Sequence, residues 1–247
     1  MYMKTKSFFE KLKTLYKAHQ KEQQLLADFR KDIAKYNAEA PANAQVKEEL
    51  LFPCLYDNTE TTNNIEPTYF YQDSWAFERI IADKPTKHID IGSHHKFVAL
   101  LSKVVDLTMV DIRPLSLPLN TIKFLKGSIL DLPFEDNSVE SLSSICVVEH
   151  IGLGRYGDPI DPHGSKKALD EIHRVLKVGG NFYMSVPVEK ENKIYFNAHR
   201  AFNEEYLLNE LLSEYEVIDK AYIYQYEFCR DLRDRFGTGC YHLRKIK

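Results

Sequence analysis

The sequence is short of glycine, with ten in 247 residues. Few of its strand-to-helix junctions can therefore press bare backbone against a phosphate chain. It is also short of cysteine pattern. Cys54, Cys146, Cys229 and Cys240 stand apart with no Cys-x-x-Cys pair, which argues against a disulfide framework and a zinc knuckle, and no metal is expected. No run approaches the roughly 18 apolar residues of a membrane-spanning helix. The first residues lack the apolar core of a signal peptide, so a cytoplasmic location is expected. Charge of one sign is not in excess either. The formal net charge is −3, and no basic patch with interleaved aromatics stands out, so neither nucleic acid nor an anionic membrane is expected as a partner.

What is present divides unevenly. From Lys4 to Tyr36 apolar residues recur at helical spacing: Phe8, Leu12, Leu15, Leu26, Phe29, Ile33 and Tyr36. His19 and Glu22 interrupt that seam, so a long autonomous coiled coil is not expected. The helix packs on its own domain or makes a homodimer contact. Ala40 to Asn64, with Pro41, Pro53 and a polar run from Asp57, reads as a linker. The expected division is residues 1–64, a helical extension and linker, and residues 65–247, the main domain.

In that domain short apolar runs alternate with helical patterns. Asp73 or Ser74 is placed to cap a helix with Phe77, Ile80 and Ile81 on its buried face. Strands are expected at His88–Ile91, Leu107–Ile112, Ile122–Leu125, Val139–Val148 and Asn181–Val186, the last stopped by Pro187. A short helix after the first strand carries Phe97, Leu100, Leu101 and Val104 on one face. Ser165 is placed to cap a helix that buries Leu169, Ile172, Val175 and Leu176 and ends at Gly179. Glu204 and Glu205 open another. The stretches Glu216–Tyr226 and Tyr241–Ile246, with no helix between, pair antiparallel. The sum is a seven-stranded, mostly parallel sheet with a closing antiparallel pair.

The first strand-to-helix loop decides the ligand class. It reads Asp90-Ile91-Gly92-Ser93-His94-His95, with one glycine. A dinucleotide's pyrophosphate needs Gly-x-Gly-x-x-Gly at this place, whereas a nucleoside without phosphates needs only the turn at Gly92 and a carboxylate. Asp111, followed by Ile112, comes about 20 residues after Asp90, the offset of a ribose-binding acid. Gly152-Leu153-Gly154-Arg155-Tyr156-Gly157 does spell Gly-x-Gly-x-x-Gly, but after the fourth strand and before Asp158-Pro159. It is expected to be a rim over the site, with Arg155 and Tyr156 toward the acceptor. His150 closes the fourth strand, where a neutral imidazole can take a proton, or is held structurally by Glu149. His199 and Arg200 follow the fifth strand and are candidates for the same cleft.

The order Asp90-Ile91-Gly92, Val110-Asp111, Asp131-Leu132-Pro133-Phe134, Glu149-His150-Ile151 and Leu176-Lys177-Val178-Gly179-Gly180 resembles class I S-adenosylmethionine-dependent methyltransferases. The runs Val147 to Pro159, Ser185 to Val188 and Phe196 to Arg200 resemble, more narrowly, a bacterial methyltransferase-like family of unknown function. The resemblance covers about Thr68 to Tyr226 and leaves out the first forty residues. It implies a Rossmann-like fold and S-adenosylmethionine as cofactor. Asp90, Gly92 and Ser93 match the first motif, Asp111 and Ile112 the ribose-binding strand end, and Ser128 and Ile129 the adenine position. In this chain Ser128 replaces an acid and Val178 replaces a proline. The association with that family makes a small polar acceptor, a sugar or sugar-phosphate of bacterial surface-polysaccharide synthesis, the expected substrate. A catalytically reduced binding or scaffold protein is the alternative.

Overall fold

The computed structural model describes residues 2–57 and 65–247. The chain divides into two compact units, Met1–Asn64 and Ile65–Lys247.

In the first unit, α1 (Tyr2–Glu39) is one continuous helix of 38 residues. Leu26, Phe29 and Ile33 are half-buried, whereas Leu12, Leu15 and Tyr36 are exposed; the Phe8 side chain lies outside the described residues. The chain after α1 is not structureless. It makes 3-10 turns at Ala42–Ala44 and Glu48–Leu50. Gln45 Nε2 donates to the carbonyls of Asn37 (3.0 Å) and Ala40 (2.6 Å), and Val46 N donates to Asn37 Oδ1 (2.8 Å). The two Gln45 bonds occupy main-chain carbonyls at the helix end. Most of the expected polar run, 58–64, lies outside the described residues.

The second unit is built on an eight-stranded sheet. Helix α2 (Pro67–Asp83) precedes β1 (Lys87–Ile91), α3 (His95–Leu101), β2 (Asp106–Asp111), β3 (Ile122–Lys126) and β4 (Val139–Ile145). Then come α4 (Gly164–Val175), β5 (Leu176–Val188), a hairpin of β6 (Lys193–Tyr195) and β7 (His199–Ala201), and α5 (Glu204–Tyr206), which continues as a π turn. Strands β8 (Tyr215–Tyr224), β9 (Glu227–Cys229) and β10 (Gly237–Lys245) end the fold. The strand order is β3-β2-β1-β4-β5-β10-β8-β9. The first five strands are parallel, while β10 runs antiparallel between β5 and β8. The seven expected strands are present, and three-residue β9 adds an eighth at the edge of β8. The order reverses at β1 and β4, so their carboxyl ends open the crevice in which such sheets bind ligands.

Both faces of the sheet are covered. On one, Ala168, Leu169, Ile172 and Val175 of α4 pack with Ile89, Ile91, Val110, Leu142, Phe182 and Met184. On the other, Trp75, Ala76 and Ile80 of α2 and Phe97, Val98 and Leu101 of α3 pack with Leu107, Met109, Ile145 and Tyr183. Because side chains alternate along a strand, β1 sends Ile89 and Ile91 to the first face and buried His88 and Asp90 to the second. His88 sits between Ser141 and Ser143, its Nδ1 2.7 Å from Ser141 Oγ and its Nε2 2.9 Å from Ser143 Oγ.

Several expected boundaries move, each for a local reason. Helix α2 begins at Pro67, not near Asp73, because Glu66 accepts Tyr69 N at 2.7 Å and proline suits the first turn. Asp73 and Ser74 are interior, and Ile81 is exposed. On α3, Val98 takes the inward place expected of Leu100, and Leu100 and Val104 face out. Ser165 does not cap α4; its hydroxyl donates to Val148 O at 2.7 Å. Gly179 does not end α4, which passes into β5 at Leu176; its φ of +80° falls in the β4–β5 bulge. Pro187 does not stop β5, and its carbonyl accepts Phe202 N at 2.9 Å.

Candidate active site

The turn after β1 is assembled from beneath. Gly92, at φ +66°, donates its N–H to Val110 O at 3.0 Å and so ties the end of β1 to β2. Asp90 is fully buried under this turn. Its Oδ1 accepts Ser93 N at 3.1 Å and its Oδ2 accepts the Ser143 hydroxyl at 2.6 Å. Ser143 then accepts from His88, which carries its proton on Nε2. Burial raises the Asp90 carboxyl to about 6, against hydrogen bonds from Ser143 and Ser93 that lower it. Asp90 therefore shapes the loop and does not reach the crevice, because strand alternation points it toward α2. Ser93 is buried and accepts Ile145 N on its hydroxyl at 3.0 Å.

Two adjoining cavities open above the turn. The smaller, of about 340 Å³, has walls of Ile91, Val110, Ile129, Leu130, Val147 and Ile151. Gly92, Asp111, Ile112, Ser128 and Gly157 also border it. Asp111 Oδ1 accepts Arg113 N at 2.8 Å, while Oδ2 faces Gly92, 3.8 Å from where a Cβ on that glycine would stand. Ser128 Oγ is engaged by Leu130 N at 3.1 Å. An apolar slot with a carboxylate at its edge has the size and chemistry to admit a purine nucleoside, with its walls open to a base and Asp111 open to ribose hydroxyls. A Cβ on Gly92 would also stand 3.3 Å from Val147 Cγ1, so only glycine leaves this edge open.

The larger cavity, of about 940 Å³, shares Gly92, Asp111, Arg113, Cys146, His150 and Tyr156 with the smaller one. It adds Ser93, His94, Tyr69, Glu149, Arg155 and His199. His150 Nδ1 lies 2.7 Å from Ala198 O, so that nitrogen carries the proton and Nε2 is the free acceptor. Burial lowers the imidazole to about 4, outweighing the bond to Ala198, which raises it. His150 is thus neutral near pH 7 and a weak base. Burial first, and then Arg155, also lowers His199. Arg155 donates to Ala198 O at 3.0 Å, and both its guanidinium (5.1 Å) and that of Arg113 (4.6 Å) approach the Tyr156 ring centre. Cys146, at φ +53°, donates its thiol to Gln72 Oε1 at 3.0 Å. No group of three metal-ligating side chains occurs among the described residues.

Arg200 stands apart from both cavities. It is buried, donating to Ile151 O (2.6 Å), Ser165 Oγ (3.0 Å), Asp161 O (3.2 Å) and Pro162 O (3.4 Å). It clamps the rim from below and does not contact the crevice. The rim glycines hold no open nest either. Asp158 Oδ2 accepts Gly152 N at 2.6 Å and Gly154 N at 3.4 Å, and Oδ1 accepts Tyr156 N at 3.3 Å. The loop's own carboxylate occupies the place a phosphate would need. Arg113 enters the site with no signal in the sequence, while Glu149 joins it from beside His150, Tyr69 from α2 and His94 from the first loop. For Glu149 the available signal was an acid directly after apolar Val147-Val148 at a strand end.

A family model described as "Caenorhabditis protein of unknown function, DUF268" matches residues 134–235. None of the curated proteins compared matches the chain. Among solved structures, the Burkholderia thailandensis 1,6-didemethyltoxoflavin-N1-methyltransferase with bound S-adenosylhomocysteine is similar at 16% identity and TM-score 0.53, over 72% of this chain and 79% of that one. The N-methyltransferase NodS of Bradyrhizobium japonicum, in complex with S-adenosylhomocysteine, is similar at 13% identity and TM-score 0.51, over 74% and 90%. The [4+2]-cyclase SpnF is similar at 16% identity and TM-score 0.52, over 70% and 80%. At these identities the likeness concerns architecture, and the chain has the Rossmann-like α/β fold that these methyltransferases share.

Proposed function

We propose that this chain is an S-adenosylmethionine-dependent methyltransferase acting on a small polar acceptor. The observation that carries the reading is the pair of cavities joined at Gly92, Asp111, Arg113, Cys146, His150 and Tyr156. One is an apolar slot with a carboxylate edge, the other a wider chamber lined with polar groups. Two similar folds are described as methyltransferases with S-adenosylhomocysteine bound, which supports the same ligand here. S-adenosylmethionine, when bound, supplies an electrophilic methyl group on a sulfonium. In this reading Asp111 holds ribose hydroxyls, the bare edge of Gly92 lets the nucleoside approach the backbone, and Ile129 and Val147 exclude water from the base. His150 and His199 face the chamber from the acceptor side, and Arg155 orients an acceptor carrying phosphate or carboxylate. A sugar or sugar-phosphate of surface-polysaccharide synthesis remains the preferred acceptor. Exposed Leu12, Leu15 and Tyr36 on α1 suit a homodimer contact, to be read by sedimentation.

Calorimetry with S-adenosylhomocysteine tests the proposal. Micromolar binding is the expected result, and no binding at millimolar ligand would sink it. The scaffold alternative draws support from the single-glycine loop and from Ser128, which has no carboxylate to offer adenine; it requires that absence of binding. A dinucleotide enzyme is disfavoured by Asp158, which fills the rim glycines' backbone nest. No helix among the described residues is long and apolar enough to cross a membrane.

A further inference from the structure

Glu149 is the one carboxyl group of the larger cavity that is buried with an oxygen left over. Its side chain is 2% exposed, its Oε2 has no hydrogen-bond partner, and it borders the chamber beside Cys146 and His150. Its Oε1 lies 3.7 Å from His150 Nε2, too far for a strong bond. A second orphan, His94 Nδ1, borders the same chamber. Unpaired buried polar atoms are rare in folded proteins, because each forgoes a bond that water would have made. Two in one cavity point to a ligand that completes them.

The surroundings narrow the ligand. Arg155 lies 3.3 Å from His150 Nδ1, and its charge is felt at Glu149, His150 and His199. The nucleophile must reach Glu149 uncharged, which a hydroxyl is at pH 7 and an aliphatic amine, protonated at that pH, is not. Resting on the methyltransferase reading above, we propose that Glu149 is the catalytic base and that the acceptor is a hydroxyl-bearing molecule whose reacting O–H donates to Glu149 Oε2. As the acceptor oxygen bonds to the methyl carbon, the carbon–sulfur bond breaks and its electron pair stays on sulfur. The hydroxyl proton passes to Glu149, so the sulfonium and carboxylate charges disappear together.

The groups facing Glu149 are Tyr69 from α2, Cys146 from the end of β4, and His150 and Arg155 from the segment that follows. Burial raises Glu149 to about 8, against smaller lowering from its own backbone, Cys146 and Arg155. Near pH 7 the free protein therefore carries Glu149 protonated. A sulfonium entering the chamber favours the carboxylate and expels that proton.

Calorimetry at pH 7 in buffers of different ionisation enthalpy separates loss of cofactor binding from loss of the base. Wild type should bind both S-adenosylhomocysteine and S-adenosylmethionine, and only the second should release a proton. Glu149→Gln should bind S-adenosylhomocysteine within about twofold of wild type and lose the release. Failure of wild type to bind S-adenosylhomocysteine overturns the methyltransferase reading itself. Binding with no proton release, or with release that survives in Glu149→Gln, overturns the base while leaving that reading standing. Methyl-labelled S-adenosylmethionine is then offered with monosaccharides and uronic acids, and separately with glycine and ethanolamine. Label should enter the hydroxyl set. Glu149→Gln should lower kcat about a hundredfold or more with KM little changed and abolish the rise in rate with pH, whereas His150→Asn should cost less than roughly tenfold. Label confined to amines or absent from both sets overturns the hydroxyl assignment, and a Glu149→Gln rate near wild type overturns the base.

Discussion

Two loops of this molecule carry glycine at a strand end, and they do opposite work. The turn after β1 has one glycine, and that glycine borders both cavities. The rim after β4 has three, all at positive φ, and two of them, Gly152 and Gly154, donate to the Asp158 carboxylate. The rim matches the letters of a nucleotide loop and the first turn does not. What separates them is occupancy. A backbone nest binds an external anion only if no side chain of its own fills it, and Gly92 leaves its edge open while Gly152 and Gly154 do not.

Substitutions at the two loops should separate stability from binding. The largest effect is expected from Gly152→Ala. A Cβ there would stand 2.1 Å from Asp161 O at φ +83°, so the cost should be about 3 kcal/mol or more, read by denaturant unfolding. Gly92→Val should leave the unfolding midpoint closer to wild type yet lower S-adenosylhomocysteine affinity by about a hundredfold, roughly 2.7 kcal/mol, because the new side chain enters the shared edge of the cavities. If Gly92→Val binds as wild type does, the first turn is not the cofactor loop. Asp111→Ala should weaken the same binding by about 1–3 kcal/mol, the loss of charge-assisted bonds to hydroxyls. Asp158→Ala should be mildest, costing about 1 kcal/mol of stability and changing S-adenosylhomocysteine affinity by less than roughly threefold. A large binding loss in Asp158→Ala would return the rim glycines to the cofactor.

Legibility in the sequence follows the same division. Strands β1 to β5 announce themselves as short apolar runs, and Asp111 by its offset from the first turn, because both are properties of local spacing. The direction of Asp90 was also latent in spacing, since alternation with Ile89 and Ile91 sends it behind the loop. The start of α2 is hidden from apolar spacing because Glu66 and Pro67 act together, one accepting Tyr69 N and the other fitting the first turn without an N–H. The clamp made by Arg200 and the spare oxygen of Glu149 are not legible in this sense. An arginine after a strand reads as a ligand contact until Ile151, Ser165, Asp161 and Pro162 converge on it from segments 35 to 49 residues away. Glu149 becomes a buried carboxyl with a spare oxygen only once α2 and the rim segment close around it.

The histidine beneath the first turn makes that turn sensitive to acid. His88 is wholly buried between two serines, and burial lowers it to about 3 from the 6.5 of an exposed imidazole. The unfolded chain therefore takes up a proton below about pH 6.5 that the folded chain refuses until about pH 3. His88 thus contributes a loss of stability on acidification across that interval and none above it. Its hydroxyl neighbour Ser143 holds Asp90, and Asp90 holds Ser93 N. Acid that forces a proton onto His88 Nδ1 turns an acceptor of the Ser141 hydroxyl into a donor and strains the chain of bonds beneath Gly92. The nucleoside edge should then be among the earliest parts of the sheet to loosen, and a bound nucleoside should shift the acid midpoint downward.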